Sequence, residues 1–303
     1  MRFWFSLIAA TTVAAISFVH GANADWRDDI KVFRVGIPVG DNAAYRIQQA
    51  EPFRAYLERK LGIHVELFPA TSYDAMIDAQ VSDRIQYGVY SASAFASAQV
   101  ICDCLEPIAV PAAEDGAPGY HAILVARADS PYRSLTDAKG ARIVIGPEGS
   151  VTGHLIPLAA FATSGIEPKG YFANVFELPD AREAIIGVLQ GQADLALAWS
   201  SMQGEATAGY SAGVLNAMVA DGSLLMSDIR VVWQSDLIPY GPHAVRRDLP
   251  GELKALVEEA ILAMPGEDPV AADAVAHTGG GGMVAATESM FEPLKQALSV
   301  TPR

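Results

Sequence analysis

Ile143-Val-Ile-Gly-Pro-Glu-Gly-Ser-Val-Thr-Gly-His-Leu-Ile-Pro157 changes character twice within one short stretch. It opens as a β-branched apolar run, the pattern of a buried strand. Gly146, Pro147 and Gly149 then read as a turn. Ser150 and Thr152 follow, immediately before a run with helical character from His154 to Ser164. A strand, a glycine-rich turn and a helix with hydroxyls at its head form an anion site in outline. The first N–H groups of a helix have no intrahelical partner, and its dipole places about half a positive charge there. Glycines let an oxyanion approach the backbone, and hydroxyls add donors. The same residues also serve a plainer purpose, because Ser or Thr ahead of a helix is a standard N-cap. No Gly-Lys-Ser/Thr closes the turn, so it is not a P-loop. Ser150 lacks the Gly-x-Ser-x-Gly frame of a nucleophile elbow.

The pattern on either side extends this unit into a series. Strand-like runs at Val32–Ile37, Val65–Phe68, Gln86–Tyr90, Gly119–Ala126, Ala193–Ala198 and Ile229–Trp233 alternate with helical stretches. The helical stretches are 43–60, 71–80, 92–99, 181–189, 252–264, 270–276 and 288–298. This alternation predicts α/β architecture with largely parallel sheets. Pro52 predicts a break in the first long helix. Val100–Cys102 and Leu105–Ala109 read as the approach to a strand, and Ile238–Pro242 as a turn. The glycine run at 279–282 follows no strand and reads as a loop. At 303 residues, and with no Pro/Gly/Ser linker between the halves, the chain suits two closely joined lobes.

Composition narrows the function. Hydrophobic residues make up 51% and charged residues 18%, which is globular. A formal net charge of -14 leaves no basic stripe for nucleic acid. It does not exclude a small anion, whose site is governed by local dipoles. Residues 1–24 read as a secretory signal peptide. Arg2 is followed by a long apolar run, and Ala22-Asn23-Ala24 forms an A-x-A cleavage site. No cysteine stands at that point to carry a lipid. An exported, periplasmic protein is the expectation. Cys102 and Cys104 stand as Cys-Asp-Cys. On an extended strand their Cα atoms would sit near the limit of about 7 Å for a bridge, so two small, partly buried thiols are expected. Two thiols are too few for structural zinc.

Several segments in order resemble a known family. They are Gly119–Pro131 with Ser134–Gly140, Gly146–Pro157, Ser235–Pro242 and Gly282–Thr287. They are similar to the PhnD-like periplasmic substrate-binding proteins of ABC importers for phosphonate, phosphite and related oxyanions. The resemblance covers nearly all of the mature chain. It implies a type II periplasmic-binding-protein fold, with two α/β lobes joined by two hinge strands. Lobe one is expected at 25–120 plus 236–303, and lobe two at 121–235.

The resemblance also implies a ligand set. Ser150, Val151 and Thr152 match the family's hydroxyl-rich turn, with Val151 in place of a common Thr. Tyr73 and Tyr90 match its aromatic hydroxyls. Relatives that hold an aminoalkyl phosphonate add a His and two acids, and here those positions are Ala181, Ser201 and Gly241. A ligand ammonium would lose its counter-charge, at a cost of several kcal/mol if buried. Trp199 and Tyr240 stand beside these positions and narrow the cleft, and His154 follows the turn. The expectation is a small phosphorus oxyanion (phosphite, phosphate or a small phosphonate) handed to an ABC permease and ATPase. An alternative is the family's arsenite-sensing branch, in which Cys102 or Cys104 supplies a thiol and a sensor histidine kinase is the partner. Thiols are the soft ligands that suit arsenic(III). No cofactor, metal or turnover is expected: His121, His154 and His243 stand apart, and no His-Glu-x-x-His spacing occurs.

Overall fold

The computed structural model describes residues 25–40, 42–275 and 280–300. The expected signal peptide, Asp41, Ala276 and the start of the glycine run lie outside the described residues. Twelve strands are found among them. They are β1 (Val32–Pro38), β2 (His64–Ala70), β3 (Tyr87–Val89), β4 (Leu105–Pro111), β5 (Gly119–Arg127), β6 (Arg142–Ile145), β7 (Asn174–Glu177), β8 (Leu195–Ser200), β9 (Ile229–Gln234), β10 (Ile238–Pro239), β11 (His243–Arg246) and β12 (Met283–Ala285).

They form two sheets. The first has the order β12-β4-β11-β3-β1-β2, and the second β10-β5-β8-β6-β7 with β9 also on β5. Sequence-local β-α-β units give the parallel pairs β1/β2, β1/β3, β6/β7 and β6/β8. The expectation of largely parallel sheets needs correcting. The chain leaves the first sheet after β4 and returns at β11, which enters antiparallel between β3 and β4. In the second sheet β5 runs antiparallel to β8, β9 and β10. Tyr120 pairs with Ile238, so the outgoing and returning connections lie side by side.

The carboxyl ends of β1, β2 and β3 open into loops on one edge of the first sheet, and those of β6, β7 and β8 on one edge of the second. Strand ends of this kind are where open α/β sheets bind ligands.

Two helices depart from expectation for identifiable reasons. Ala43–Leu61 runs unbroken through Pro52. Its face of Phe53, Tyr56, Leu57 and Leu61 is buried, and Tyr56 donates to the Ala260 carbonyl at 2.8 Å. This packing outweighs the one backbone hydrogen bond that proline removes. Val100–Cys102 is not strand but the last turn of the helix Ala92–Cys102. Asp103 ends that helix in the left-handed region (φ 43°). The chain therefore doubles back between the two cysteines, whose Cα atoms lie 5.0 Å apart, and they are joined as a disulfide. The expected pair of thiols is corrected accordingly. Its premise was an extended strand, and the left-handed Asp103 removes that premise. Ile238–Pro242, expected as a turn, begins as the two-residue strand β10. No helix among the described residues is long and apolar enough to cross a membrane.

Candidate functional site

The turn after β6 is built from its own backbone. Ser150 stands at the head of the helical run and its hydroxyl accepts from the Gly153 N–H at 3.0 Å. The expected cap is thus present, and the hydroxyl proton is left over for another acceptor. The Gly146 N–H donates to the Gly153 carbonyl at 2.8 Å. A Cβ on Gly153 would sit 2.8 Å from the Gly146 Cα, and one on Gly146 would sit 2.9 Å from the Gly153 Cα. Strand end and helix head therefore touch back to back, which only glycines permit. Residues Val151–Leu155 wind as a π-helical turn, with Leu155 N–H on the Ser150 carbonyl at 2.9 Å. A regular α-helix follows at Ile156–Thr163. The helix expected from His154 to Ser164 thus starts earlier and more widely wound. The N–H groups of Val151 and Thr152 stand in this first turn, where a helix lacks intrahelical partners for its donors.

The turn and the tyrosines share one buried cluster. Val151, Tyr73 and Tyr120 pack against one buried cluster that draws Ala70, Tyr90 and Phe95 from the first half of the chain. Leu155 and Ile156 come from the turn's helix, Phe291 from the 3-10 turn Glu288–Phe291 and Leu294 from the C-terminal helix Glu292–Val300. Tyr73 opens the helix Tyr73–Val81, capped by the Ser72 hydroxyl, and its ring stacks on Tyr90 with centroids 6.4 Å apart. Tyr90 itself is 3% exposed, and its hydroxyl donates to Gln80 Oε1 at 2.5 Å. Burial pushes its phenol well above the ordinary value, so it stays neutral. In this arrangement the single proton of Tyr90 is held by Gln80, while Tyr73 is the more open of the pair.

Trp199 and Tyr240 meet at a separate corner through Tyr120. The Tyr120 ring lies 5.4 Å from Trp199 and 5.5 Å from Tyr240. Burial, and secondarily each phenol's neighbour, raises both tyrosine pKa values: Tyr240 acts on Tyr120, and Asp115 on Tyr240. The corner thus presents neutral hydroxyls and aromatic faces.

His154 lies two residues past Thr152 in the same π-helical turn. It lines an open hollow of about 880 Å³ whose lining comes wholly from residues 148–175, with Glu148, Lys169 and Val175. Its Nδ1 lies 3.3 Å from the Gly146 carbonyl. His121 and His243 are similarly engaged, His121 with the Ser235 carbonyl at 2.8 Å and His243 with the buried Tyr87 hydroxyl. Among the described residues no three His, Cys, Asp or Glu side chains gather as a metal site. The thiols proposed for arsenite, Cys102 and Cys104, are consumed in the disulfide.

The positions lacking polar partners gain structural reasons. A Cβ on Gly241 would lie 2.0 Å from the Tyr90 carbonyl oxygen, so no side chain fits there. Ser201 is fully buried at the end of β8, with its hydroxyl 2.8 Å from that of Ser211. Sequence reading missed Tyr120, Gln80, Ser211 and Asp115. Tyr120 offered a faint signal, as an aromatic at the start of a long strand. The others carry none, because their partners lie far along the chain.

Comparison with known proteins fits this geometry. Residues 38–291 match the model of a family described as ABC transporter, phosphonate, periplasmic substrate-binding protein. The phosphate-import protein PhnD of Mycolicibacterium smegmatis is 27% identical over 192 residues, covering 62% of this chain. This chain spans 58% of the length of that relative. The phosphonates-binding periplasmic protein of Escherichia coli is 25% identical over 253 residues, covering 80% of this chain and 68% of that one. PhnD1 of Prochlorococcus marinus, solved in complex with methylphosphonate, shares the fold at a TM-score of 0.51 and 16% identity, over 88% of this chain and 97% of that one. That likeness, with two α/β sheets and paired connections, corresponds to the type II periplasmic-binding fold. With the family pattern running from the end of β1 to Phe291, the chain belongs to the periplasmic substrate-binding proteins of phosphonate ABC transporters.

Proposed function

We propose that this protein captures a small phosphorus oxyanion, phosphite, phosphate or a small phosphonate, between two lobes and delivers it to an ABC permease and ATPase. The lobes are 25–120 with 236–303, and 121–235, and residues 1–24 are removed on export to the periplasm. The observation that carries the reading is the Ser150–Thr152 turn, whose N–H and O–H donors head a helix and whose Val151 side chain packs against the same buried cluster as Tyr73. Neutral donors suit an oxyanion, since they satisfy its oxygens without burying a second charge. Closure about the paired connections excludes water and strengthens those hydrogen bonds. The ligand favours the closed form because both lobes donate to it only there. Trp199 and Tyr240 limit the size of the ligand's far end, which favours an undecorated anion such as methylphosphonate.

A thermal-shift screen of phosphite, phosphate, hypophosphite and methylphosphonate tests this. The right ligand at about 100 times its Kd adds about 2.7 kcal/mol of stability. Thr152→Val should then weaken that ligand by about 1–3 kcal/mol, the loss of one charge-assisted hydrogen bond. Unchanged affinity in calorimetry would remove the turn from the site.

A further inference from the structure

Asp115 lies on the connection between β4 and β5, and its carboxylate reaches the loop that follows β8, the strand paired beside β5. Oδ1 accepts from the Ala117 N–H at 2.9 Å, which fixes the connection locally. Oδ2 accepts from the Ser211 hydroxyl. Ser211 Oγ lies 2.8 Å from Ser201 Oγ, and Ser201 Oγ also accepts from the N–H groups of Gln203 at 3.3 Å and Ala212 at 3.2 Å. Each hydroxyl has one proton to give. Ser211 gives its proton to the carboxylate, so Ser201 gives its own to Ser211. The result is a directed chain from the buried end of β8, through two hydroxyls, to a charge on the inter-sheet connection. Such a chain is strengthened by its ionised end and by mutual polarisation.

The chain adds a tie to a loop that its own backbone already closes, where the Ser201 N–H donates to the Ala212 carbonyl at 3.0 Å and the Ser211 N–H to the Gln203 carbonyl at 2.8 Å. Residues 201–213 leave β8 and come back beside it, with Ser200 bridged to Gly213. Gly213 has φ 117°, and a Cβ there would sit 2.7 Å from the Ser200 Cα. The loop follows directly on Trp199, whose ring meets Tyr120, and Tyr120 in turn meets Tyr240. Tyr240 is tied to the same connection as Asp115, its N–H donating to the Pro118 carbonyl at 2.9 Å. Both aromatic walls of the corner are therefore referred to one short segment, 115–118.

We propose that Asp115 is a positioning residue: through Ser211 and Ser201 it ties the inter-sheet connection to the 201–213 loop and sets the angle at which the two lobes close. The role in ligand capture rests on the function proposed above, whereas the effect on lobe angle does not.

The test uses Asp115→Ala, Ser211→Ala, the double variant and Asp115→Asn, which keeps an acceptor oxygen for Ser211. Lobe separation is read without ligand, by small-angle scattering and by energy transfer between dyes on the two lobes. Each single alanine variant should widen the separation, the double variant should widen it no further, and Asp115→Asn should recover most of the change. With methylphosphonate as probe, dissociation should quicken about tenfold or more in the alanine variants, the factor that goes with one lost hydrogen bond to a charge. An unchanged lobe separation, or effects that simply add, would overturn the proposal. If the wild-type protein binds no methylphosphonate, the ligand reading fails, and the lobe separation still decides the role of Asp115.

Discussion

The turn at 146–153 and the corner of Tyr120, Trp199 and Tyr240 are assembled in opposite ways. The turn is closed by hydrogen bonds between residues a few positions apart, from Gly146 to Gly153 and from Ser150 to Gly153. The corner joins three segments distant in sequence and is held by rings in contact. A local device needs only its own residues to be right. A corner assembled from distant segments needs the whole topology to be right, including the point where Gly241 slides under the Tyr90 carbonyl.

Substitutions can separate the two. The largest effect is expected at the corner: Gly241→Ala puts a methyl 2.0 Å from the Tyr90 carbonyl oxygen and 3.0 Å from the Ser91 Cα, both backbone atoms. It should destabilise the fold by about 3 kcal/mol, seen as a lower urea midpoint. A variant as stable as the parent would mean that Gly241 does not pack against the backbone that follows β3 as described. At the turn, Gly153→Ala brings its methyl 2.8 Å from the Gly146 Cα. The cost should be about 2 kcal/mol, with oxyanion-dependent stabilisation lost as well, because the head of the helix must move. If melting temperature falls while ligand-induced stabilisation persists, the turn's shape is not what binds.

The smallest effect concerns the anchor beneath the turn. Arg142 at the start of β6 grips Asp194 through Nε at 3.1 Å and Nη2 at 2.8 Å, and its N–H adds a bond at 2.8 Å. Hydrogen bonding to the Arg142 side chain holds the Asp194 carboxyl below its ordinary range. The pair is partly exposed, at 38% and 25%, so its contribution should be about 1 kcal/mol. A depressed folded pKa means that this contribution is complete above the unfolded value of about 3.9 and fades as pH falls through the folded one. Melting temperature followed from pH 6 to pH 2 should therefore fall less steeply for Asp194→Asn than for the parent. Parallel curves would count against the pair.

The same contrast explains what could be read from the residues alone. The strand at 143–145, the cap at Ser150 and the helix at 181–189 were legible because their causes are local: β-branched periodicity, a hydroxyl before a helix, and apolar spacing. The antiparallel strand β11 was not, because four residues with no turn signal become a central strand only when β3 and β4 are there to flank them. Pro52 misled because a propensity rule met a well-packed helix face, and Cys102 and Cys104 because one left-handed residue changed the spacing assumed for them. Ser201 and Gly241 read as missing charges. Their structural reasons, a chain to Asp115 and a carbonyl in the way, involve partners that spacing cannot reveal.

The place of β11 has one further consequence, for the order in which the chain can fold. The second sheet is contiguous in sequence, from Gly119 to Pro239, and needs nothing that follows. The first sheet lacks its middle until residues 243–246 arrive to join β3 to β4, and it lacks an edge until 283–285. A chain emerging from its N-terminus thus carries β1 to β4 as two unjoined fragments, with the facing edges of β3 and β4 open to wrong partners. Its second half completes first, and its beginning is finished by its end.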